Sequence, residues 1–298
     1  MKFVTFQYEE KEKIGIFKDD ETKVYEISSI LKEKEEINSM VEFIANVTEE
    51  EIKTLKDAIS SESQNFTVYP LENIKITSPI KRPIHDIICV GVNYKDHLKE
   101  TEDSFKEEFS APSKTIYFSK RATDIIGPKD VIESRMDLDT ELDYEVELAI
   151  IIGKKGKDIS KEKAQDYIFG YSIFNDISSR KLQREHLQWY KGKSLDTYSS
   201  MGPVILHKRA LPFPVEVNVK TFVNDELRQS SNTKLFISDI PHIISEISAG
   251  MTIEPGDIII TGTPSGVGMA MRPQKYLQVG DTVTCEIEKI GKLINIVK

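Results

Sequence analysis

Apolar and polar positions alternate at the start of the chain. Phe3 to Tyr8, Ile14 to Phe17 and Thr22 to Ile27 show the period-two pattern of strands, and Lys18-Asp19-Asp20 reads as a turn. Ser39 with Glu42, and Thr48 with Glu51, have capping-box spacing. The second opens a predicted helix whose apolar side is Ile52, Leu55 and Ile59. Two prolines in Ser78-Pro79-Ile80-Lys81-Arg82-Pro83 then interrupt regular structure. The pattern therefore predicts a small N-terminal α/β domain over residues 1–78. Over residues 79–298 it becomes mostly short strands: Asp86 to Val90, Thr115 to Phe118, Tyr144 to Ile152, Ile168 to Asn175, Val215 to Val223, Asp257 to Thr261 and Thr282 to Ile287. Lys161 to Tyr167 and Ser238 to Ser248 are the clearest helical patterns. Many strands at short spacing predict a β-rich roll, sandwich or barrel.

One stretch departs from ordinary amphipathic patterning. From Asp137 to Glu147 every odd position is acidic, and from Leu142 onward the even positions are apolar. Alternate residues of a strand share a face. Glu145 and Glu147 should therefore project side by side, opposite a core face of Tyr144, Val146, Leu148 and Ile150. Adjacent like charges repel, and a divalent cation removes that penalty by taking their oxygens as ligands. Taken alone, the alternation is also that of a solvated edge strand. The next segment changes the balance: Tyr167 to Asn175 is almost wholly apolar and ends in Asp176. A carboxylate ending a buried strand needs a partner. Three carboxylates with no His or Cys beside them suit Mg²⁺ (or Mn²⁺) better than Zn²⁺.

Composition narrows the class. With 39% hydrophobic and 30% charged residues the chain is expected to be globular and soluble. A formal net charge of −9 argues against nucleic acid as a partner. Cys89 and Cys285 sit in apolar runs and read as core residues, in keeping with a reducing cytoplasm. No run is long enough to span a membrane. His85, His186, His207 and His242 lack partners at ligand spacing and are expected to be structural.

From Pro83 onward the chain resembles the fumarylacetoacetate hydrolase family. The resemblance is carried by Gly91-Val92-Asn93-Tyr94-Lys95-Asp96-His97-Leu98-Lys99-Glu100, by Asp143 to Leu148, by Gly170-Tyr171 with Asn175 to Arg180, by Lys193 to Thr197 with Gly202-Pro203, and by Thr261 to Gly268, in family order. The closing stretch from Val279 to Glu288 is also similar. The resemblance implies an α+β fold, a mixed β-roll of that family's C-terminal type, with one cation per site and usually a homodimer. It assigns Glu145, Glu147 and Asp176 to the metal. His97, Glu100 and Lys193 become the catalytic candidates, and Lys120, Arg180, Gln183 and Thr263 the substrate contacts. Arg121, in Phe118-Ser119-Lys120-Arg121, and Ser199-Ser200-Met201 depart from the common pattern and bear on the substrate.

The chemistry so implied is C–C bond cleavage, by hydrolysis or decarboxylation, of a small 2-oxo acid such as an acylpyruvate or oxaloacetate. The charge left on the substrate is an enolate that a cation stabilises. Lys193 would hold an oxo or carboxylate oxygen, and Arg180 a carboxylate. If Tyr94 to Glu108 is helical, His97 and Glu100 share a face, and Glu100 orients an acid–base imidazole within a lid. Isomerisation or hydration of unsaturated 2-oxo diacids would need the same cation. A non-catalytic metal-dependent binding protein is the alternative of another class.

Overall fold

The computed structural model describes residues 1–18, 21–34, 37, 39–61, 65–98, 100 and 114–298. The turn expected at Lys18-Asp19-Asp20 lies outside these residues beyond Lys18, as does the expected lid helix at 99 and from 101 to 108.

Five strands precede the proline pair: β1 (Lys2–Tyr8), β2 (Lys11–Phe17), β3 (Lys23–Glu26), β4 (Val68–Pro70) and β5 (Lys75–Ile76). They are followed by β6 (Ile87–Gly91), β7 (Ile116–Lys120), β8 (Val131–Ile132), β9 (Leu142–Asp143), β10 (Val146–Ile152), β11 (Ile168–Asp176), β12 (Ser178–Ser179) and β13 (Ser199–His207). The last five are β14 (Asn218–Val223), β15 (Glu226–Asn232), β16 (Ile258–Ile260), β17 (Thr282–Ile287) and β18 (Gly291–Val297).

A large sheet runs β4-β3-β2-β1-β13-β11-β10-β16-β6-β7, with β5 on β1, and a five-stranded sheet runs β15-β14-β17-β18-β8. Neighbours in the large sheet are antiparallel except β16 and β6, which are parallel. The strand-dominated α+β architecture agrees with the pattern of the sequence.

β10 accounts for the layering. All seven of its residues are buried. Val146, Leu148, Ile150 and Ile152 point into one core, shared with Val219, Val283, Ile287 and Leu293 of the smaller sheet. Ala149 and Ile151 point into the other, shared with Phe43, Ile44, Ile52, Leu55 and Ile59 of the N-terminal helices. The strand is thus covered on both faces. The acidic alternation does not continue as strand toward Asp137: the ladder breaks between β9 and β10, and the earlier acids have partners of their own. Asp139 accepts from Lys181 N and Glu141 from Arg184.

Both cores draw on either side of the prolines at 79 and 83. Val4, Phe6 and Val24 join the first core, and Phe3 joins the second. β1 pairs with β13, so the N-terminal strands belong to the large sheet. The helix Glu49–Ser60 carries the full capping box of Thr48 and Glu51, whereas Ser39 only accepts from Glu42 N. The strand expected to reach Ile27 stops at Glu26, where a short helix begins. β13, β15 and β18 go beyond the strands expected from sequence. β13 contains Gly202-Pro203, β15 is almost wholly polar, and neither has the apolar alternation that marks a strand. Pro203 sits where the β11–β13 register shifts, so the ladder does not need its missing N–H. Both cysteines are buried and free. Among the described residues no helix is long and apolar enough to cross a membrane.

Candidate metal centre and its surroundings

Strand register brings the three carboxylates together. Glu145 and Glu147 stand two residues apart at the opening of β10 and so share a face. β11 runs antiparallel to β10 with Val146 opposite Asn175, which sets Asp176 beside Glu145. Asp176 N donates to Glu145 O (2.8 Å), and Glu145 N donates to Asn175 Oδ1 (3.0 Å). One oxygen from each of Glu145, Glu147 and Asp176 lies within 4.8 Å of the other two, and all three side chains are buried.

Cations surround part of this cluster. Lys193 Nζ bridges Glu145 Oε2 and Asp176 Oδ2, each at 2.7 Å. Arg180 Nη2 lies 2.6 Å from Glu145 Oε1, and its Nε donates to Asp143 Oδ2 at 3.0 Å. Lys120, wholly enclosed at 0% exposure, donates to Asp176 Oδ1 (2.5 Å), Ile177 O (3.1 Å) and Tyr198 O. Glu147 differs: among the described residues it has no ion-pair partner, and Gly262 N donates to its Oε2 at 2.5 Å.

The electrostatics follow this division. Burial pushes the Glu145 carboxyl up, but Lys193 and Arg180 more than offset it and hold it down at about 2. Burial, then the charges of Asp176 and Glu145, push Glu147 well above the usual carboxylate range. For Lys193, burial favours the neutral amine, yet Asp176 and Glu145 keep its ammonium raised overall. For Lys120, burial wins over the attraction of Asp176, and its ammonium is lowered.

A divalent cation fits this arrangement on its own terms. Three buried carboxylates converge, and one of them, Glu147, has no ion-pair partner among the described residues and is opposed only by the more distant Lys193 charge and the Gly262 N–H. Hard oxygen donors without imidazole or thiolate match Mg²⁺ or Mn²⁺.

The other anticipated residues are placed as follows. His97 Nδ1 lies 2.9 Å from Glu100 Oε2, on a segment helical at residues 95–98 and 100. Glu100 Oε1 accepts from Gly266 N at 2.9 Å. Gln183 Oε1 accepts from Arg180 Nη1 at 3.1 Å, so the two form a unit. Thr263 donates to Val146 O (3.0 Å) and accepts from Gln229 Nε2 (2.8 Å). Lys120 is enclosed, with its ammonium on Asp176. Arg180 also lies against two protein carboxylates, Asp143 and Glu145.

Three contributors go beyond the residues singled out from sequence. Asp143, fully buried, accepts from Arg180 and from the backbone N–H groups of Tyr144, Gly268 and Met269. Gln229 joins Thr263, Pro264 O, Thr221 and Val146 N. Asn93 donates to Thr261 O and Ser238 O. In the sequence Asp143 stands out as one acid in the alternating run and as the first residue of a family block, with no role attached, and Gln229 gives no signal in a polar strand.

A family model described as fumarylacetoacetate (FAA) hydrolase C-terminal matches residues 86–298. The chain belongs to this family. Oxaloacetate tautomerase YisK of Bacillus subtilis (strain 168) is 40% identical over an alignment 308 positions long, covering 99% of each sequence. Among solved structures, fumarylacetoacetate hydrolase from psychrophilic Exiguobacterium antarcticum is similar with a TM-score of 0.82 at 38% identity, covering 100% of this chain and 99% of that one. Maleylpyruvate hydrolase from Sphingobium sp. SYK-6, in complex with manganese(II) ion and pyruvate, is similar with a TM-score of 0.76 at 27% identity, covering 100% and 98%. The fumarylacetoacetate hydrolase fold read from the motifs is therefore the fold of this chain, and these relatives are named for tautomerase and hydrolase activities.

Proposed function

We propose that this protein is a Mg²⁺- or Mn²⁺-dependent enzyme that enolises a small 2-oxo acid, with oxaloacetate as the first candidate. Tautomerisation of the keto and enol forms is the primary reading, because a tautomerase of oxaloacetate matches 99% of the chain at 40% identity. Decarboxylation or hydrolysis at the neighbouring C–C bond is the second reading, because it needs the same stabilised enolate. The observation that carries both is the buried convergence of Glu145, Glu147 and Asp176. A cation held there supplies Lewis acidity toward the oxo and carboxylate oxygens of such a substrate.

The chain's own residues divide the remaining work. A carboxylate can only accept, so the contact with Glu100 places a proton on His97 Nδ1 and leaves Nε2 basic. His97 Nε2 then takes a proton from C3 of the keto acid, and the electron pair moves onto the 2-oxo oxygen. Returning a proton to that oxygen completes the tautomerisation. Lys193, whose ammonium lies between Glu145 and Asp176, is the donor we assign to the oxygen charge that develops. Arg180, fixed by Asp143 and Gln183, adds positive charge on the Glu145 side.

The test follows the enol and keto forms of oxaloacetate by ultraviolet absorbance, with pyruvate release measured in parallel. Purified protein with Mn²⁺ is expected to speed interconversion, and chelator to abolish the effect. Acetylpyruvate and fumarylpyruvate serve as comparison substrates. Turnover that is indifferent to chelator, or none with any of the three, would sink the proposal.

A further inference from the structure

Two attachments hold the His97 segment to one turn. At its root, the Asn93 side chain donates to Thr261 O (2.8 Å) and to Ser238 O (3.0 Å), and accepts from Ser238 N (2.8 Å). At its far end, Glu100 divides its carboxylate: Oε2 accepts from His97 Nδ1, and Oε1 accepts from Gly266 N, both at 2.9 Å. Thr261 and Gly266 bound the turn that follows β16. His97 is thus slung between its two ends.

That turn is itself indexed to the strand carrying the metal ligands. β16 pairs with β10 as far as Ile260 opposite Ala149. Beyond that point the ladder continues mostly through side chains. Thr261 N and Oγ1 donate to Leu148 O (3.2 and 2.9 Å), Gly262 N donates to Glu147 Oε2 (2.5 Å), and Thr263 Oγ1 donates to Val146 O (3.0 Å). The last rung is the Tyr144 hydroxyl, which donates to Gly266 O at 2.9 Å. The turn climbs from 261 to 266 while the strand descends from 148 to 144.

Gly266 has no freedom to be another residue. Its φ is +100°, and a Cβ there would lie 2.0 Å from Arg228 O. Its N–H therefore has a fixed position, provided that its carbonyl is held.

We propose that Gly266 is the docking point that delivers His97 to the carboxylate cluster, and that Tyr144 is a positioning residue acting through it. The inference rests on the acid–base role given to His97 above. The physical reason is geometric. A hydrogen bond is sensitive to shifts of a few tenths of an ångström and to angle. Removing the Tyr144 hydroxyl leaves a carbonyl without its donor and lets the turn relax, so the Gly266 N–H no longer meets Glu100 squarely. Glu100 then orients the imidazole less well, although every metal ligand is unchanged.

Hydrogen–deuterium exchange on the full chain with Mn²⁺ and oxalate tests the coupling. Tyr144→Phe keeps the ring in the core. It is expected to speed exchange of Gly266 and of residues 94–98 by about tenfold, through easier local opening. Mn²⁺ affinity by calorimetry should stay within about twofold, because the carboxylate donors are intact. Glu100→Ala should speed exchange of the Gly266 amide in the same way. Should Tyr144→Phe fail to fold, this second variant decides: an unchanged Gly266 amide overturns the proposal. Unchanged exchange at 94–98 in Tyr144→Phe also overturns it, whatever the activity.

A double-mutant cycle on oxaloacetate turnover separates this inference from the function beneath it. Tyr144→Phe should lower turnover about fivefold to twentyfold alone and cost nothing further in a His97→Ala background, as coupled sites do. Additive losses overturn the positioning role. Full turnover by His97→Ala, with exchange altered as expected, removes the acid–base role of His97 and leaves the docking geometry standing.

Discussion

Two residues show how burial sets charge in this fold. Glu147 is 2% exposed and, among the described residues, has no ion pair with a lysine or arginine such as its neighbours have. Burial first, and then repulsion from Asp176 and Glu145, raise its carboxyl, and a dication would offset both. His207 shows the opposite case, far from the metal ligands. Its ring packs against Phe3 and Phe169, and burial, with help from Lys208, the N-terminus and Arg209, pushes the imidazole down to about 3. An unfolded histidine titrates near 6.5. Below that pH the unfolded chain therefore binds more protons than the folded one, and stability falls as pH drops from about 6.5 toward 3. Near pH 5 the loss should be about 2 kcal/mol. Urea melts at pH 7 and pH 5 check this: His207→Gln should show a smaller difference between the two than the parent chain. An equal difference in both proteins would discard the account.

At the scale of elements, the pairing of β11 with β13 depends on a close approach. A Cβ on Gly170 would lie 2.4 Å from Leu206 O, a backbone atom that cannot swing aside. Gly170→Ala should therefore destabilise by about 1–3 kcal/mol through overpacking, read as a lowered denaturation midpoint. Loss of the β11–β13 fit would also disturb Asp176 at the end of the same strand, so Mn²⁺ affinity should fall with stability. The elements themselves are unevenly legible in the sequence. β10 and β11 are plain, because a long apolar run bounded by carboxylates demands both a buried strand and a counter-charge at its end. β15 is hidden, because Gln229, its buried residue, is held by hydrogen bonds rather than by hydrophobicity. The resemblance assigns Lys120 to the substrate, and the sequence shows that lysine but not the enclosure around it. Asp176, its partner, lies 56 residues away along the chain.

For the whole molecule, the question is how far residues 1–78 stand apart. The prolines suggest a boundary, but β1 pairs with β13 through Phe3 opposite Ile205, and His207 N donates to Met1 O (3.0 Å). Phe3, Phe43 and Phe169 meet in one aromatic group with ring centroids 5.1–6.3 Å apart. A fragment of residues 79–298 would bare the β13 edge and the apolar face beneath the N-terminal helices. It should aggregate or elute in the void volume on size exclusion, while the full chain elutes as a discrete species. A monodisperse, metal-binding fragment would mean that the two parts fold independently.

The parallel junction between β6 and β16 has a reach beyond those two strands. Both leave the sheet at the same rim, one toward Asn93 and the other toward Thr261. β10 runs against β16 and so starts at that rim, and β11 runs against β10 and so finishes there. Four separate crossings of the sheet thus unload their polar cargo along one border, with no long excursion of chain. The far border, where Gly153 to Tyr167 links β10 to β11, bears none of that chemistry and has room to lengthen or change without reaching the centre.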